Sequence, residues 1–441
     1  MPLQRKSPLV FAGIVLLGLS SCAVRQTHDR DYVSREIEAR SGHPLAAPSK
    51  AGALRIPPGI DPAKLAEEDA VAVALWNNPA FQSDLATLGF ARADLLEAGL
   101  LKNPLLTLLF PLGPKQLEFT LTFPAEVLWQ RPRRVEMAKL NAEAVAHGLV
   151  QNGLVLAGAV RAAHANLWLA QSRADVVKRM AGLDAEISQI TDARWRAGDV
   201  SEFEAIALRA RALRTQEEAL RADSDVAVAR AQLGNLLGVG NTEIQVSAVS
   251  SPLPAAGLPE TRQLLRDAFA ARPDLRAAEL QMEAAGKRIG WEKSKVFQLS
   301  LLLDANGQGR EGFEAGPGIA LPLPFFDWNQ VGITRAQTEM ERAALRYAEV
   351  QQRIVLEVRE AQARAVQARD ALQAWQAKVI PAVRERALLA ERAFLAGDVS
   401  YLSQIEVSRE LMDAELHQAD LEAELRRAVG RLEQAVGKKV K

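Results

Sequence analysis

The chain has 441 residues, of which 54 are Lys or Arg and 54 are Asp or Glu, so its formal net charge is zero. A balanced charge gives no electrostatic case for a nucleic-acid-binding protein. Aromatic residues make up only 5% of the chain, and its many Ala, Leu, Glu, Gln and Arg residues are typical of long helices.

The N-terminus has the pattern of a secretion signal. Arg5 and Lys6 precede an apolar run over residues 9–19 that is too short to span a membrane. Cys22 follows this run and is the only cysteine, which excludes an intramolecular disulfide. The arrangement resembles a bacterial lipobox, which implies a signal peptide over residues 1–21 and lipidation of Cys22. Plain cleavage of the signal peptide is the alternative.

Residues 22–60 are predicted to form an irregular, lipidated tether. Pro44, Pro48, Pro57, Pro58 and Gly59 break any regular pattern in this segment. Helical periodicity begins near Asp61, is interrupted at Asn78-Pro79 and resumes up to about Leu101.

A change of period after Pro104 predicts two strands. Residues 105–110 form a short apolar run that ends in a turn. Residues 117–123 then alternate between apolar side chains (Leu117, Phe119, Leu121, Phe123) and polar ones (Glu118, Thr120, Thr122). A period of two predicts one apolar and one polar strand face. The apolar face would meet a core in a soluble protein and lipid in an outer-membrane barrel.

A long helix is predicted from about Arg131 to Arg196. Its apolar residues alternate steps of four and three, which is the heptad seam of coiled-coil packing (Val176, Met180, Leu183, Ile187, Ile190). A helix of this length needs a neighbour along its whole length. We expect residues 202–237 to return antiparallel and to supply it.

The turn between these two helices occurs twice. Residues 197–201 read Ala-Gly-Asp-Val-Ser, and the same five residues recur 199 positions later at 396–400. Gly198 and Gly397 suit the left-handed backbone that ends a helix. Ser201 and Ser400 suit the N-cap of the next helix. As local structure these are two helical-hairpin turns, and their docking of a partner is a separate hypothesis.

Other pairs indicate that the whole chain is duplicated. Gly238 and Gly437, and Trp129 and Trp328, share the offset of 199, whereas Pro79 and Pro273 differ by 194. We therefore predict two helix-strand-strand-helix repeats over residues 61–250 and 251–441. The second repeat would place its strands at 297–305 and 313–321, and Pro381 should kink its long helix.

The predicted fold class is mainly α with a small β part. Four strands per chain cannot close a barrel, and open sheet edges are not tolerated in lipid. If the strands lie in a membrane, several chains must share one β-barrel. The long coiled-coil hairpins would then share one helical bundle below it.

This organisation resembles the TolC family of outer-membrane efflux channels. The resemblance rests on the lipobox, the repeated unit, the paired turns and the segment Pro324-Phe325-Phe326-Asp327-Trp328-Asn329-Gln330. It implies a homotrimer in outer-membrane lipid with a periplasmic helical tunnel, working with a periplasmic adaptor and an inner-membrane pump. Gly198, Ser201, Gly397 and Ser400 would be adaptor-docking residues. Residues 31–37 and 41–43 look most like the metal-efflux branch.

The resemblance also implies acidic rings that close the tunnel near the turns. Counted from Gly397, the first family position falls on Ser403, which departs from the pattern, and the second on Glu406. Glu406 and, in the first repeat, Glu204 are candidate gate residues that would attract cations. The alternative is an ordinary solvated charge on a helix.

The remaining patterns predict no catalysis. The five histidines lack metal-ligand spacing, and the sequence has neither a Gly-rich phosphate loop nor a nucleophile motif. We therefore expect no enzyme activity, no cofactor, no metal site and no nucleic-acid partner. The function predicted is a passive exit duct for metal ions or small toxic compounds. The alternative is a periplasmic adaptor or a structural coiled-coil lipoprotein.

Overall fold

The structure is a computed structural model that describes residues 27–47, 54–110, 117–240, 244–250, 252, 257–307 and 312–440. The predicted signal peptide and Cys22 lie outside the described residues.

The first half of the chain contains a helix pair, a strand pair and a helix pair. A short helix, α1 (Arg30–Ser41), precedes them. The elements that follow are α2 (Glu67–Asn77), α3 (Pro79–Gly99), β1 (Leu105–Leu109), β2 (Leu117–Pro124), α4 (Val127–Arg196) and α5 (Glu202–Leu237).

The second half repeats this order. Its elements are α6 (Thr261–Ala271), α7 (Pro273–Ser294), β3 (Ser300–Gly307), β4 (Phe313–Ala320), α8 (Gln330–Ala374), α9 (Ile380–Ala396) and α10 (Tyr401–Val436). A π-helical turn, Trp375–Val379, separates α8 from α9 and ends two residues before Pro381. The predicted distortion of this helix at Pro381 therefore takes the form of one widened turn.

The prediction of an irregular segment over residues 23–60 is wrong for residues 30–41, which form α1. Val33 and Ile37 lie one helical turn apart and are fully buried. These two apolar side chains hold α1 in place, and the prolines that suggested a tether all follow it. Two apolar residues among charged ones are too few to give the apolar periodicity that predicts a helix.

All four strands form one antiparallel sheet in the order β1-β2-β3-β4. The register aligns Leu106 with Leu121 and Leu121 with Leu303, so that leucines form a row across three strands on one face. Thr107, Thr120 and Asp304 form a row on the opposite face. The four predicted strands are therefore confirmed, with ends shifted by a few residues.

The described chain divides into two compact units. One contains the whole sheet and the helix segments that lead into it, over residues 86–147 and 276–349 together with the residues up to 32. The other is helical and contains both hairpin turns, over residues 33–85, 148–275 and 350–440.

Within the helical unit, each repeat has the same joint between a short helix and the end of its last long helix. The residue before the repeated proline donates a side-chain hydrogen bond to a helix-terminal carbonyl. Asn78 Nδ2 donates to Leu236 O at 2.9 Å, and Arg272 Nη1 donates to Ala435 O at 3.0 Å. The two acceptors are 199 residues apart. The duplication therefore preserved the contact while it changed the donor.

The predicted heptad seam is only partly buried in the single chain. Val176, Met180 and Ile187 are buried, but Leu183 is half-buried and Ile190 is exposed. Asp184 takes the place of Leu183 in the interior, with 1% of its side chain exposed. The long helix is thus confirmed, and its packing face is rotated by about one residue at Leu183.

Candidate functional site

The first hairpin turn is built by Gly198 and Ser201. Gly198 has φ +86°, which L side chains rarely adopt. Its N–H donates to Trp195 O and the N–H of Asp199 donates to Arg194 O, both at 2.9 Å. This is the pair of bonds that satisfies helix-terminal carbonyls in a Schellman motif. Ser201 then caps α5 by accepting a hydrogen bond from the N–H of Glu204 at 3.2 Å.

The second hairpin turn has the same geometry. Gly397 has φ +81°, and its N–H donates to Phe394 O at 3.0 Å. Ser400 caps α10 by accepting a hydrogen bond from the N–H of Ser403 at 3.2 Å. The predicted backbone roles of all four residues are confirmed. Both turns are exposed around their glycines, so their surfaces are open to a partner.

The two candidate gate residues lie on different helices just after these caps. Glu204 is half-buried in the first turn of α5, and Glu406 is exposed in the second turn of α10. In the part of the chain that the structure describes, neither carboxylate has an ion-pair partner. Their positions are compatible with the predicted gate role and equally with ordinary solvated charges on a helix surface.

A buried carboxylate near the turns was missed by sequence reasoning. Asp184 on α4 accepts hydrogen bonds from Thr215 Oγ1 on α5 and from Arg409 Nη1 on α10, each at 2.5 Å. Arg211 Nε lies 3.4 Å from its other oxygen. One carboxylate thus joins the two helices of the first hairpin to the second hairpin. The signal in the sequence was a charged residue inside an apolar seam.

The sheet has two faces of different chemistry. Leu301, Leu303 and Ile319 alternate along their strands on one exposed face. The opposite face carries hydroxyl and carboxylate groups, and Thr120 Oγ1 donates to Asp304 Oδ1 at 2.7 Å. Strand alternation produces this separation because successive side chains point to opposite faces.

A charged cluster around buried Arg161 joins carboxylates from both repeats. Its guanidinium contacts Glu68 at 3.1 Å, Glu433 at 3.2 Å and Glu67 at 3.5 Å. Burial opposes ionisation of Glu68, but hydrogen bonds from His43 and Lys439 and the charge of Arg161 lower its pKa to about 2. For Glu67 and Glu433, burial outweighs Arg161 and raises the pKa. The cluster therefore combines one strongly ionised carboxylate with two that are harder to ionise.

Two features are absent from the described residues. No group of three or more His, Cys, Asp or Glu side chains there is arranged to hold a metal ion. Among those same residues, no helix combines the length and the apolar character needed to cross a membrane.

The combination of long helical hairpins and a small antiparallel sheet has counterparts among solved structures. The fold is similar to the outer-membrane channel OprN, with a TM-score of 0.69 and 20% identity over 84% of this chain and 90% of that one. It is also similar to the Campylobacter jejuni CmeC outer membrane channel, with a TM-score of 0.68 and 16% identity over 85% and 86% of the two chains. The predicted fold class is confirmed.

Sequence comparison finds a family match in the second half of the chain. Residues 264–438 match the profile of the family described as Outer membrane efflux protein. The match runs from within α6 to just beyond the end of α10, which is most of the second repeat. A relative, the cobalt-zinc-cadmium resistance protein CzcC of Cupriavidus metallidurans, is 23% identical over 359 residues, or 79% of this chain and 84% of that protein.

Proposed function

We propose that the chain is the outer-membrane exit duct of a tripartite efflux system and that it conducts substrates passively from periplasm to exterior. The observation that carries this proposal is the four-stranded sheet with an exposed apolar face and a polar opposite face. Within the described residues, β1 and β4 each have one strand partner. A membrane barrel wall needs this chemistry, and four strands are too few to close one.

Three copies of the sheet would give a twelve-stranded barrel. Exposed apolar residues recur along α5 at steps of seven or eight, which is close to a heptad spacing (Ile206, Leu213, Leu220, Val228). Packing of this stripe on a neighbouring copy supports a homotrimer with a shared helical tunnel. Native mass spectrometry of the protein extracted from outer membranes should give a trimer. A monomer would contradict the shared barrel.

The N-terminal anchor is an independent part of the proposal. We interpret residues 1–21 as a cleaved signal peptide, Cys22 as the acylated residue and 22–60 as the tether before the repeats at 61–250 and 251–441. Intact mass should show acyl chains that are lost in Cys22→Ser. Release of the Cys22→Ser protein as a soluble monomer would instead favour the adaptor or coiled-coil alternative.

The hairpin turns are the proposed docking surface for a periplasmic adaptor, through Gly198, Ser201, Gly397 and Ser400. Gly198→Pro or Gly397→Pro should leave a folded trimer and abolish export. Gly59→Pro is the matched control, because Gly59 is also exposed and has φ +87° but lies outside the turns. Export at the wild-type rate in either turn variant would overturn the docking role.

Glu204 and Glu406 are the proposed cation-attracting constriction. Reconstituted channels carrying Glu406→Gln, alone or with Glu204→Gln, should lose cation selectivity. Glu410→Gln is a control on the same helix, because Glu410 already pairs with Arg386. Unchanged selectivity in the Glu204 and Glu406 variants would identify both as ordinary helix charges.

Metal cations are the proposed substrates, and the relative whose name records cobalt, zinc and cadmium resistance supports this. Growth of a deletion strain should be inhibited by metal ions and rescued by the plasmid-borne gene. Rescue confined to hydrophobic drugs or detergents would assign the duct to a multidrug pump. Unchanged growth under every condition would count against export by this protein.

A further inference from the structure

The connection between β4 and α8, residues 321–329, displays large apolar side chains. Leu323, Phe325 and Trp328 are exposed, and 95% of the Phe326 side chain is exposed. The position 199 residues earlier is Val127, which is only 1% exposed. The first repeat therefore buries the residue equivalent to Phe326, whereas the second repeat exposes it.

Hydrogen bonds tie down both ends of this connection. Asn329 has φ +55°, which is uncommon for a residue other than glycine. Its Nδ2 donates to Glu292 O at 2.8 Å and to Glu292 Oε2 at 2.9 Å. The N–H of Phe325 donates to Leu323 O at 2.9 Å. A surface ordered in advance loses little conformational entropy when a partner binds.

The antiparallel order of the strands indicates which surface lies next to it in an assembly. If a second copy extends the sheet, its β1 pairs with β4, because these are the two outer strands. Alternating directions then bring the end of β4 beside the beginning of β1 of the partner subunit. Leu100 and Leu101 precede β1 and are both exposed.

We infer that residues 321–328 form an intersubunit clasp. Leu323, Phe325 and Phe326 of one copy pack on Leu100 of the partner subunit and Leu101 of the partner subunit. This inference rests on the proposed function, because it requires several copies to share one barrel. The clasp is an apolar contact outside the strands, and it would favour pairing of β4 with β1 of the partner subunit.

Disulfide cross-linking tests the clasp in the full-length chain. Leu101→Cys combined with Leu323→Cys or Phe326→Cys should give reducible dimers and trimers after mild oxidation. Single-cysteine variants control for Cys22, the only native cysteine. Phe90→Cys with Phe326→Cys is the matched control pair, because Phe90 is also an exposed aromatic residue but lies within α3. The control pair should stay uncross-linked.

A second variant measures the contribution of the clasp. Phe326→Asp should lower the temperature at which the trimer dissociates in mild detergent by 10 °C or more, whereas Phe90→Asp should not. If the wild-type protein is a trimer but the double-cysteine variants (101 with 323, or 101 with 326) form no cross-links, the clasp alone is overturned. A monomeric wild-type protein would overturn both the clasp and the shared barrel.

Lipid contact is the outcome that would reassign this surface. A fluorophore attached at Phe326→Cys in vesicles should be quenched less by brominated lipid chains than one at Ile319→Cys on the apolar sheet face. Equal quenching at the two positions would show that membrane, and not the partner subunit, covers the connection.

Discussion

The two hairpins share their turns but differ in how the described single chain packs them. The first hairpin buries Ile187, Ser188 and Thr191 on α4 and Ala205 on α5 close to its turn. In the second hairpin, Ile380 is the only buried residue described on α9, and Ile405 is the only one among the described side chains of 401–413. The duplication preserved the glycine and serine residues that form the turns, but the helices beside the two turns differ in how much they bury.

This difference separates what is specified locally from what requires partners. A glycine with positive φ and a serine cap act within one turn, so they work equally in both hairpins. Burial requires another surface to pack against, and few described residues pack against the second hairpin near its turn. Its connection to the first hairpin includes the ion pair between Arg409 and Asp184.

The largest effect is expected at that ion pair. Asp184→Ala would leave Arg211 and Arg409 without their shared buried carboxylate, at a cost of about 3 kcal/mol in the free energy of unfolding. Hydrogen exchange should increase most in α10 around Arg409, because Arg409 is the residue through which the second hairpin contacts Asp184. Asp225→Asn, on an exposed position of α5, is the control. Equal exchange in the two variants would contradict the role of Asp184.

A proline placed in the first hairpin should have the next largest effect. Pro381 follows the π-helical turn, whereas its counterpart Gly182 lies inside the uninterrupted helix α4. Gly182→Pro would remove a helical hydrogen bond and introduce a clash, at a cost of about 3 kcal/mol. Pro381→Ala should change stability by less than about 1 kcal/mol. Urea unfolding followed by circular dichroism measures both, and similar losses would contradict the contrast.

The charged cluster around Arg161 predicts a dependence on pH. The position of Glu68 is taken by Arg262 in the second repeat. Because the folded pKa of Glu68 is about 2, below its ordinary value of 4.5, its ionised form stabilises the protein above pH 4.5. That stability is lost as the pH falls from 4.5 towards 2.

Glu68→Gln should therefore destabilise the protein by about 1–2 kcal/mol at pH 7, after allowance for screening of this partly exposed side chain. The difference from wild type should shrink progressively at pH 4 and pH 3. Glu38→Gln, at an exposed position, should show no such trend. A difference that stays constant with pH would mean that packing, and not charge, accounts for the loss.

The sequence predicted the features that depend on short-range chemistry. The two turns, the four strands and the long helices follow from glycine, capping and periodicity signals. Helix α1 was missed because its fold depends on two side chains that meet a distant surface. Asp184 was missed because periodicity places apolar residues and gives no account of a buried charge with three partners. The exposure of Phe326 was also not predicted, because sequence periodicity alone does not say which apolar side chains stay uncovered in the single chain.

The smallest effects should come from two glycine substitutions within α4, and they should have opposite signs. A Cβ added at Gly182 would meet nothing within 4 Å. Gly182→Ala should therefore stabilise the protein by about 0.5–1 kcal/mol through helix propensity alone. A Cβ at Gly153 would lie 2.7 Å from Ile37 Cδ1 and 3.3 Å from Phe81 Cζ, in the buried interface with α1.

Gly153→Ala should accordingly destabilise the protein by about 1 kcal/mol, because the overpacking outweighs the gain in propensity. Urea unfolding of both variants under one set of conditions gives the comparison directly. Stabilisation by both substitutions would show that α1 yields easily and is loosely docked on α4. Destabilisation by both would show that the exposed side of α4 near Gly182 is covered in the assembled protein, as the packing of a neighbouring copy would require.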